Sequence, residues 1–181
     1  FGAGMVEGPF PEHYEPLEGP LAKNPLSPVL VNPTITIFKS DLDKVANADD
    51  KFPYVCTTYS CTEHWCSGFT RWQPWLLEMM PEAYMEISET LAQKLGIKNG
   101  EKVKVASVRG EIPVVAMVTK RLKPFQVEGK TVHEVGIPFN YGWRWPEGAA
   151  DASVNYLTPS VGDANTFCPE YKAFMVNIRK A

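Results

Sequence analysis

Proline imposes the first constraint on this chain. Of its 181 residues sixteen are proline, and seven of those lie between Pro9 and Pro33, in the run GPFPEHYEPLEGPLAKNPLSPVLVNP. Proline has no backbone N–H and holds φ at about −65°, so such a run cannot supply a central strand or a long helix. It still carries Phe10, Tyr14, Leu17, Leu21, Leu26, Val29, Leu30 and Val31, more apolar surface than a free linker tolerates. Residues 1–50 are therefore expected to form an extended strap that ends in the polar stretch SDLDKVANADD. The strap should lie over another surface, of this chain or of a further part of the protein.

From residue 51 the pattern turns to strands. YVCTTY at 54–59 is β-branched and aromatic and predicts a strand. Residues 72–80 predict a helix, with Pro74 tolerable in its first turn. A strand is expected over 83–87, after which Ser88 caps a helix that Gly96 stops. Asn99-Gly100 makes a turn, Lys102-Val103-Lys104-Val105 alternates polar and apolar, and Arg109-Gly110 turns into a return strand over 112–119. Two more strands are expected at 131–137 and 173–178, separated by an irregular stretch over 140–170. Short strands, hairpins and small helices predict a mainly β fold, a closed barrel whose loops collect at its rims. The segments richest in polar and aromatic groups, 59–68 and 140–172, are then where chemistry belongs.

Charge and composition remove several classes of function. Lys and Arg number 18 against 21 Asp and Glu, a formal charge of −3, which lacks the basic footprint of a nucleic-acid-binding domain. No apolar run approaches the ~20 residues of a membrane-spanning helix. Four cysteines are too few for a disulfide-stapled scaffold. The chain opens on Phe1 with no charged-then-apolar leader, and it is expected to be a processed or excised piece of something longer.

Cys56, Cys61 and Cys66 are spaced five apart and Cys168 stands alone, without the tighter local pairs of zinc or iron–sulfur motifs. Cys56 reads as a buried strand residue and the others as small loop fillers. A Cys61–Cys66 or Cys66–Cys168 disulfide stays open in an oxidising compartment. His13 and His133 are isolated. His64 differs, because Thr57, Thr58, Tyr59, Ser60, Thr62 and Ser67 surround it in sequence and Trp65 is a flat neighbour. That mix suits a polar, heteroaromatic, phosphate-bearing ligand. No G-x-S-x-G elbow, three-glycine dinucleotide fingerprint or phosphate loop is present. Asn155, Asp163, Asn165, Tyr171 and Lys172 extend the polar set toward the carboxy terminus, where a plain loop capping the barrel is an equal reading.

Three segments then carry a resemblance: CTTYSCTEHWCSGFTR, EISETLAQKLGIKNGEKVKVASVRGEI and LTPSVGDANTFCPEYKAFMVNI. In this order and spacing they resemble the C-terminal domain of formate dehydrogenase large subunits of the periplasmic molybdenum or tungsten type. With the strap GPFPEHYEP the likeness covers nearly the whole chain. It implies a double-psi β-barrel over 51–181, and a bis(molybdopterin guanine dinucleotide) cofactor with Mo or W held between this domain and the rest of the large subunit. In related enzymes the stretch matching Thr58, Tyr59, Ser60, Cys61, Thr62, Glu63, His64, Trp65, Cys66 and Ser67 contacts the pterin dinucleotide. Positions matching Asn155 and Lys172 contact it too, and Tyr171 is a further implied contact. A lysine or histidine there offers charge-assisted hydrogen bonds. Two departures stand out: many relatives carry Arg in place of Ser60, and His-Trp in place of Asn140-Tyr141.

The family's reaction oxidises formate to carbon dioxide and passes two electrons to iron–sulfur centres. It needs a metal-ligating selenocysteine or cysteine, a His-Arg pair, and an amino-terminal cysteine motif for a 4Fe–4S cluster. None of these lies in the 181 residues, so no catalytic residue and no metal ligand is assigned, Cys61 included, and the chain alone is expected to be inactive. The implied partners are the remainder of the large subunit and an iron–sulfur beta subunit, with formate as substrate of the whole enzyme, in the periplasm. The EHW and PEYK segments occur in other bis-pterin oxidoreductases such as nitrate reductase, which stays open. So does a scaffold barrel without cofactor.

Overall fold

The computed structural model describes residues 17–23, 34–35, 40–66, 68–142, 152–163, 166, 168–169 and 171–181. Much of the strap, including Phe10, His13, Tyr14, Leu26, Val29, Leu30 and Val31, lies outside the described residues, as do Ser67 and Asn165. In chain order the strands are β1 (Thr34–Ile35), β2 (Tyr54–Tyr59), β3 (Tyr84–Ser88), β4 (Lys102–Ala106), β5 (Glu111–Thr119), β6 (Phe125–Val127), β7 (Lys130–Val132), β8 (Glu134–Pro138), β9 (Gly162–Asp163) and β10 (Phe174–Lys180). Among the described residues the α-helices are α1 (Pro74–Met79) and α2 (Glu89–Leu95).

Six strands close a barrel in the order β10-β2-β8-β3-β5-β4, the mainly β architecture expected and one consistent with a double-psi barrel. Closure leaves no barrel edge to template aggregation. Alternation fills the interior: β2 turns Tyr54, Cys56 and Thr58 inward, and β4 turns in Val103 and Val105. Phe174, Val176 and Ile178 of β10 complete the core.

Strand direction sorts the connections. β2, β4 and β8 run one way and β3, β5 and β10 the other, because only β2–β8 and β3–β5 pair in parallel. The outgoing ends of the first set therefore share a rim with the incoming ends of the second. That rim receives residues 60–83, the 107–110 turn, residues 139–142, and the approach to β10. The opposite rim is closed by α2, where the Ser88 hydroxyl accepts from the Leu91 amide at 3.1 Å and Leu91 and Ala92 are buried.

Two expectations are corrected. The helix expected over 72–80 is divided: a 3-10 turn covers Phe69–Trp72, and α1 begins only at Pro74, which fits a first turn because its missing N–H is an orphan there anyway. The strand expected over 131–137 breaks at His133. Residues 130–132 pair with β6, whereas 134–138 join the barrel. The hairpin turns at Glu128 and Gly129, with φ of 48° and 76°, the pair of positive values a primed turn requires. The His133 carbonyl then accepts from the Val55 amide at 3.0 Å, holding the point where the chain changes sheets.

The described part of the strap is tied to this barrel. Glu18 and Arg109 form an ion pair whose side chains are both fully buried. Glu18 Oε2 accepts from Arg109 Nη2 at 3.0 Å and from the Met175 amide at 2.8 Å, while Oε1 accepts from the Ala46 amide at 2.8 Å and from Arg109 Nη1. Farther along, β1 pairs with β9. Removing one member of a buried pair strands the other charge, so Arg109→Ala should cost ~3–5 kcal/mol. The double substitution Glu18→Leu with Arg109→Met should cost far less. Urea midpoints and the rate of proteolysis in residues 17–50 measure both.

Candidate functional site

The loop after β2 is organised by one side chain from the loop after β8. Asn140 is fully buried. Its Oδ1 accepts from the Cys61 amide at 2.8 Å, and its Nδ2 faces the Ser60 hydroxyl at 3.1 Å, the His64 carbonyl at 2.7 Å and the Cys66 carbonyl at 2.5 Å. The Asn140 carbonyl accepts from Arg71 Nη1 at 3.3 Å. Gly68 lies beneath it with φ 98°, and a Cβ there would meet that carbonyl at 2.4 Å. Only glycine fits both the dihedral and the approach.

A buried polar and aromatic layer backs the loop. His64 Nε2 donates to the Met80 carbonyl at 2.8 Å, and the Tyr141 hydroxyl donates to the same oxygen at 3.2 Å. The two rings meet edge to face at 5.6 Å, and the Arg71 guanidinium lies 5.4 Å over the Tyr141 ring. Nδ1 of His64 is buried and has no hydrogen-bond partner among the described residues. Burial pushes the Cys61 thiol up from its ordinary value, and burial followed by the nearby Cys61 and Tyr84 pushes the Tyr141 phenol up. Both groups are thereby kept neutral. Among the described residues no group of three or more His, Cys, Asp or Glu could hold an ion.

Lys172 reaches the same rim from the bend that precedes β10. Its Nζ donates to the Thr58 carbonyl at 2.8 Å and lies 3.3 Å from the Thr58 hydroxyl, which itself donates to the Tyr171 carbonyl at 3.0 Å. The ammonium stands 4.9 Å from the Tyr171 ring and 5.5 Å from the Phe139 ring. Burial lowers it from the ordinary lysine value, as expected for a cation partly removed from water.

Asn155 belongs to the 3-10 turn Val154–Tyr156 and is exposed. That turn sits over the same rim, because the next carbonyl, of Leu157, accepts from Arg109 Nε at 2.8 Å. It also approaches the Asn140 loop: Gly142 has φ 123°, and a Cβ there would fall 2.5 Å from Cβ of Ser153. The residues singled out in sequence thus fall along one path, from Tyr171 and Lys172 on Thr58, through the 60–66 loop, across Asn140 and Gly142, to Asn155.

The individual residues play unlike parts. Trp65 is exposed and stacks at a tilt on Phe69, 5.8 Å away. Ser60, Thr62 and Cys66 are exposed, and Cys66 has φ 48°. The Thr62 hydroxyl donates to Glu63 Oε2 at 3.1 Å, and the Thr70 hydroxyl ties the Glu63 carbonyl to the Trp65 amide at 3.0 and 2.8 Å. The Tyr59 hydroxyl is committed to Glu86 Oε1 at 2.7 Å, with Arg121 on the other oxygen at 3.3 Å. Ser67 lies outside the described residues. Cys56, Cys61, Cys66 and Cys168 are all free thiols. Residue-by-residue reading missed Asn140 as the organiser, and Arg71, Tyr141 and Glu86 with it. The available signals were the Asn140-Tyr141 departure and an amide two residues past Pro138, where the apolar strand ends.

Comparison with known proteins gives the family. The family model described as Molydopterin dinucleotide binding domain matches residues 54–175. The chain is 51% identical over 182 residues to the formate dehydrogenase subunit alpha of Megalodesulfovibrio gigas, covering 100% of this chain and 18% of that protein. It is 51% identical over 183 residues to the nitrate-inducible formate dehydrogenase major subunit of Escherichia coli, covering 98% of this chain and 17% of that one. The chain therefore spans about a fifth of the length of these relatives. Among solved structures, acetylene hydratase from Pelobacter acetylenicus shares the fold with TM-score 0.58 over 72% of this chain and 18% of its own, at 13% identity.

The Asn140 contacts set a direct test. Asn140→Asp replaces a donor that faces three oxygens by a carboxylate oxygen, so it should destabilise the loop more than Asn140→Ala, which only leaves partners unsatisfied. The alanine change should cost ~1–3 kcal/mol and the aspartate change more. Hydrogen exchange at the Cys61 amide should accelerate in both variants while β4 and β5 stay protected.

Proposed function

The chain belongs to the molydopterin dinucleotide binding domain family, and from that premise we propose that its polar rim holds the bis(molybdopterin guanine dinucleotide) cofactor of a formate dehydrogenase. The observation that carries this reading is the meeting of Lys172 with the Asn140-braced loop at one end of the barrel. The groups gathered there are hydroxyls, amides, one partly buried ammonium and the exposed Trp65 ring. That donor set fits phosphate oxygens and a flat heteroaromatic better than it fits a bare metal ion. Lys172 would supply the charge-assisted contact, Ser60, Thr62 and Asn155 neutral ones, and Trp65 a face for stacking. Ser60 is uncharged where an arginine would add a second cation, which shifts more of the electrostatic work onto Lys172.

When bound, the group supplies the Mo or W redox centre at which formate gives up two electrons. The chain's own contribution would be to bind and orient, through a 60–66 loop braced by Asn140 and a Lys172 held on Thr58. We extend the same reading to the remainder of the large subunit, with its metal-ligating residue and 4Fe–4S cluster, and to an iron–sulfur beta subunit as electron acceptor. A periplasmic location comes with the reading on resemblance alone. No helix among the described residues is long and apolar enough to cross a membrane. Half-identity to formate dehydrogenase subunits along essentially the whole chain favours formate over nitrate as substrate.

The test is occupancy in the full-length large subunit. Lys172→Ala should lower the GMP released by acid hydrolysis and the Mo or W per polypeptide on the order of tenfold at limiting cofactor supply, the worth of one charge-assisted hydrogen bond. Full GMP and metal content in that variant would exclude this rim as the binding surface.

A further inference from the structure

We infer that Arg109 is a positioning residue for the ligand rim: clamped by Glu18 of the strap, it sets the place of the turn that carries Asn155. Arg109 lies in the β4–β5 turn, and its side chain is fully buried. Arginine is seldom buried to that extent unless its charge is paired, and here each guanidinium nitrogen has its own task. Nη2 donates to Glu18 Oε2 at 3.0 Å, Nη1 donates to Glu18 Oε1 and to the Lys44 carbonyl, and Nε donates to the Leu157 carbonyl at 2.8 Å. The ion pair needs only the two terminal nitrogens. The guanidinium is planar and rigid, so a carboxylate gripping both of them also fixes the direction in which the Nε–H points. That direction is the Asn155 turn.

The same turn meets the hairpin at a second point. A Cβ on Gly110 would fall 2.9 Å from the Tyr156 carbonyl oxygen, so the missing side chain lets the two backbones approach. Val154 and Leu157 are buried, whereas Asn155 and Tyr156 are exposed. The Leu157 amide donates to the Val154 carbonyl at 2.9 Å, and the Thr158 hydroxyl donates to the Asn155 carbonyl at 3.3 Å. The turn is thus a small closed unit, anchored by its buried ends and seated on the hairpin. Arg109, being fully buried, touches no ligand itself and acts through the backbone that it holds. A binding group works only when its supports keep it within about 0.5 Å of the productive place. An apolar pair could replace a buried ion pair at little cost in stability, so position is what this one contributes. The assignment rests on the cofactor reading for the identity of what Asn155 meets.

The experiment uses the full-length large subunit with its natural partners and compares Asn155→Ala, Arg109→Lys and the two together. Lysine keeps the charge opposite Glu18, but its single nitrogen cannot serve Glu18 and the Leu157 carbonyl at once. The readout is the ratio of GMP-loaded to empty subunit at limiting cofactor supply. Each single change should lower it about fivefold, the worth of one neutral hydrogen bond. The double change should lower it no further than Asn155→Ala alone, because both act through one contact. A residue that only stabilises the fold would give losses that multiply, and that outcome overturns the inference. Glu18→Leu with Arg109→Met, which should leave the fold stable, should match Arg109→Lys and replaces it if the lysine variant does not fold. Hydrogen exchange at the Leu157 amide should accelerate in Arg109→Lys while β3 stays protected. Lys172→Ala, run alongside, separates the two ideas. If it loses GMP while Asn155→Ala or Arg109→Lys keeps it, the positioning role is overturned and the cofactor reading stands. If it keeps GMP in full, the cofactor reading falls, and an unchanged Leu157 exchange rate in Arg109→Lys then overturns the clamp as well.

Discussion

A buried carboxamide must have both of its ends satisfied, and at Asn140 that requirement ties two distant parts of the chain into one unit. Its acceptor is taken by the Cys61 amide and its two N–H groups lie among three oxygens of the 60–66 loop. Its own carbonyl holds Arg71, whose guanidinium covers Tyr141, whose hydroxyl shares the Met80 carbonyl with His64. Polar networks in low dielectric are stable only when completed. Among the described residues His64 Nδ1 has no hydrogen-bond partner in this network. A loop braced in this way does not have to be ordered by its ligand, so less of the binding free energy goes into ordering.

The barrel makes that bracing useful by giving its two ends different characters. Strand direction brings residues 60–83, the 107–110 turn and the run-in to β10 to one rim, whereas α2, with Leu91 and Ala92 buried, and the β6–β7 hairpin lie at the other. The strap reinforces the loop-bearing rim. Glu18 reaches Arg109 in the β4–β5 turn, and Arg109 in turn holds the Leu157 carbonyl just beyond Asn155. Two buried charges at this place cost desolvation that their pairing offsets only when every lone pair is met. The Met175 and Ala46 amides meet those on Glu18. What the pair contributes is position: the strap, the hairpin turn and the start of β10 are held in one arrangement.

Legibility in the sequence followed the range of the interactions. The 102–119 hairpin was readable because Lys-Val-Lys-Val alternation and the turn are local, and so was α2, where Ser88 and Gly96 mark both ends. The break at His133 was not, since Val-Glu-Gly-Lys lacks the Asn-Gly or Asp-Gly sign of a primed turn and the apolar pattern runs on across the sheet change. The rim residues 58–66 and 171–172 drew notice by composition and resemblance. Asn140 stood out only as a departure from the relatives, and its bracing role was hidden because its partners lie 74 to 80 residues earlier. Glu18 was hidden for the same reason, 91 residues from Arg109. A strap rich in proline advertises that it is extended; it does not advertise which glutamate will be buried.

Lys172 connects this architecture to the proposed cofactor. Its ammonium is partly desolvated between Tyr171 and Phe139, which costs the charged form and lowers its proton affinity. The Thr58 carbonyl and the two ring faces compensate in part. A phosphate or pterin oxygen brought to that ammonium would reverse the balance, because attraction between opposite charges strengthens as water leaves. Under the cofactor reading the rim would fix where an anionic ligand sits, and the partial burial of Lys172 would set how strongly the cation holds it.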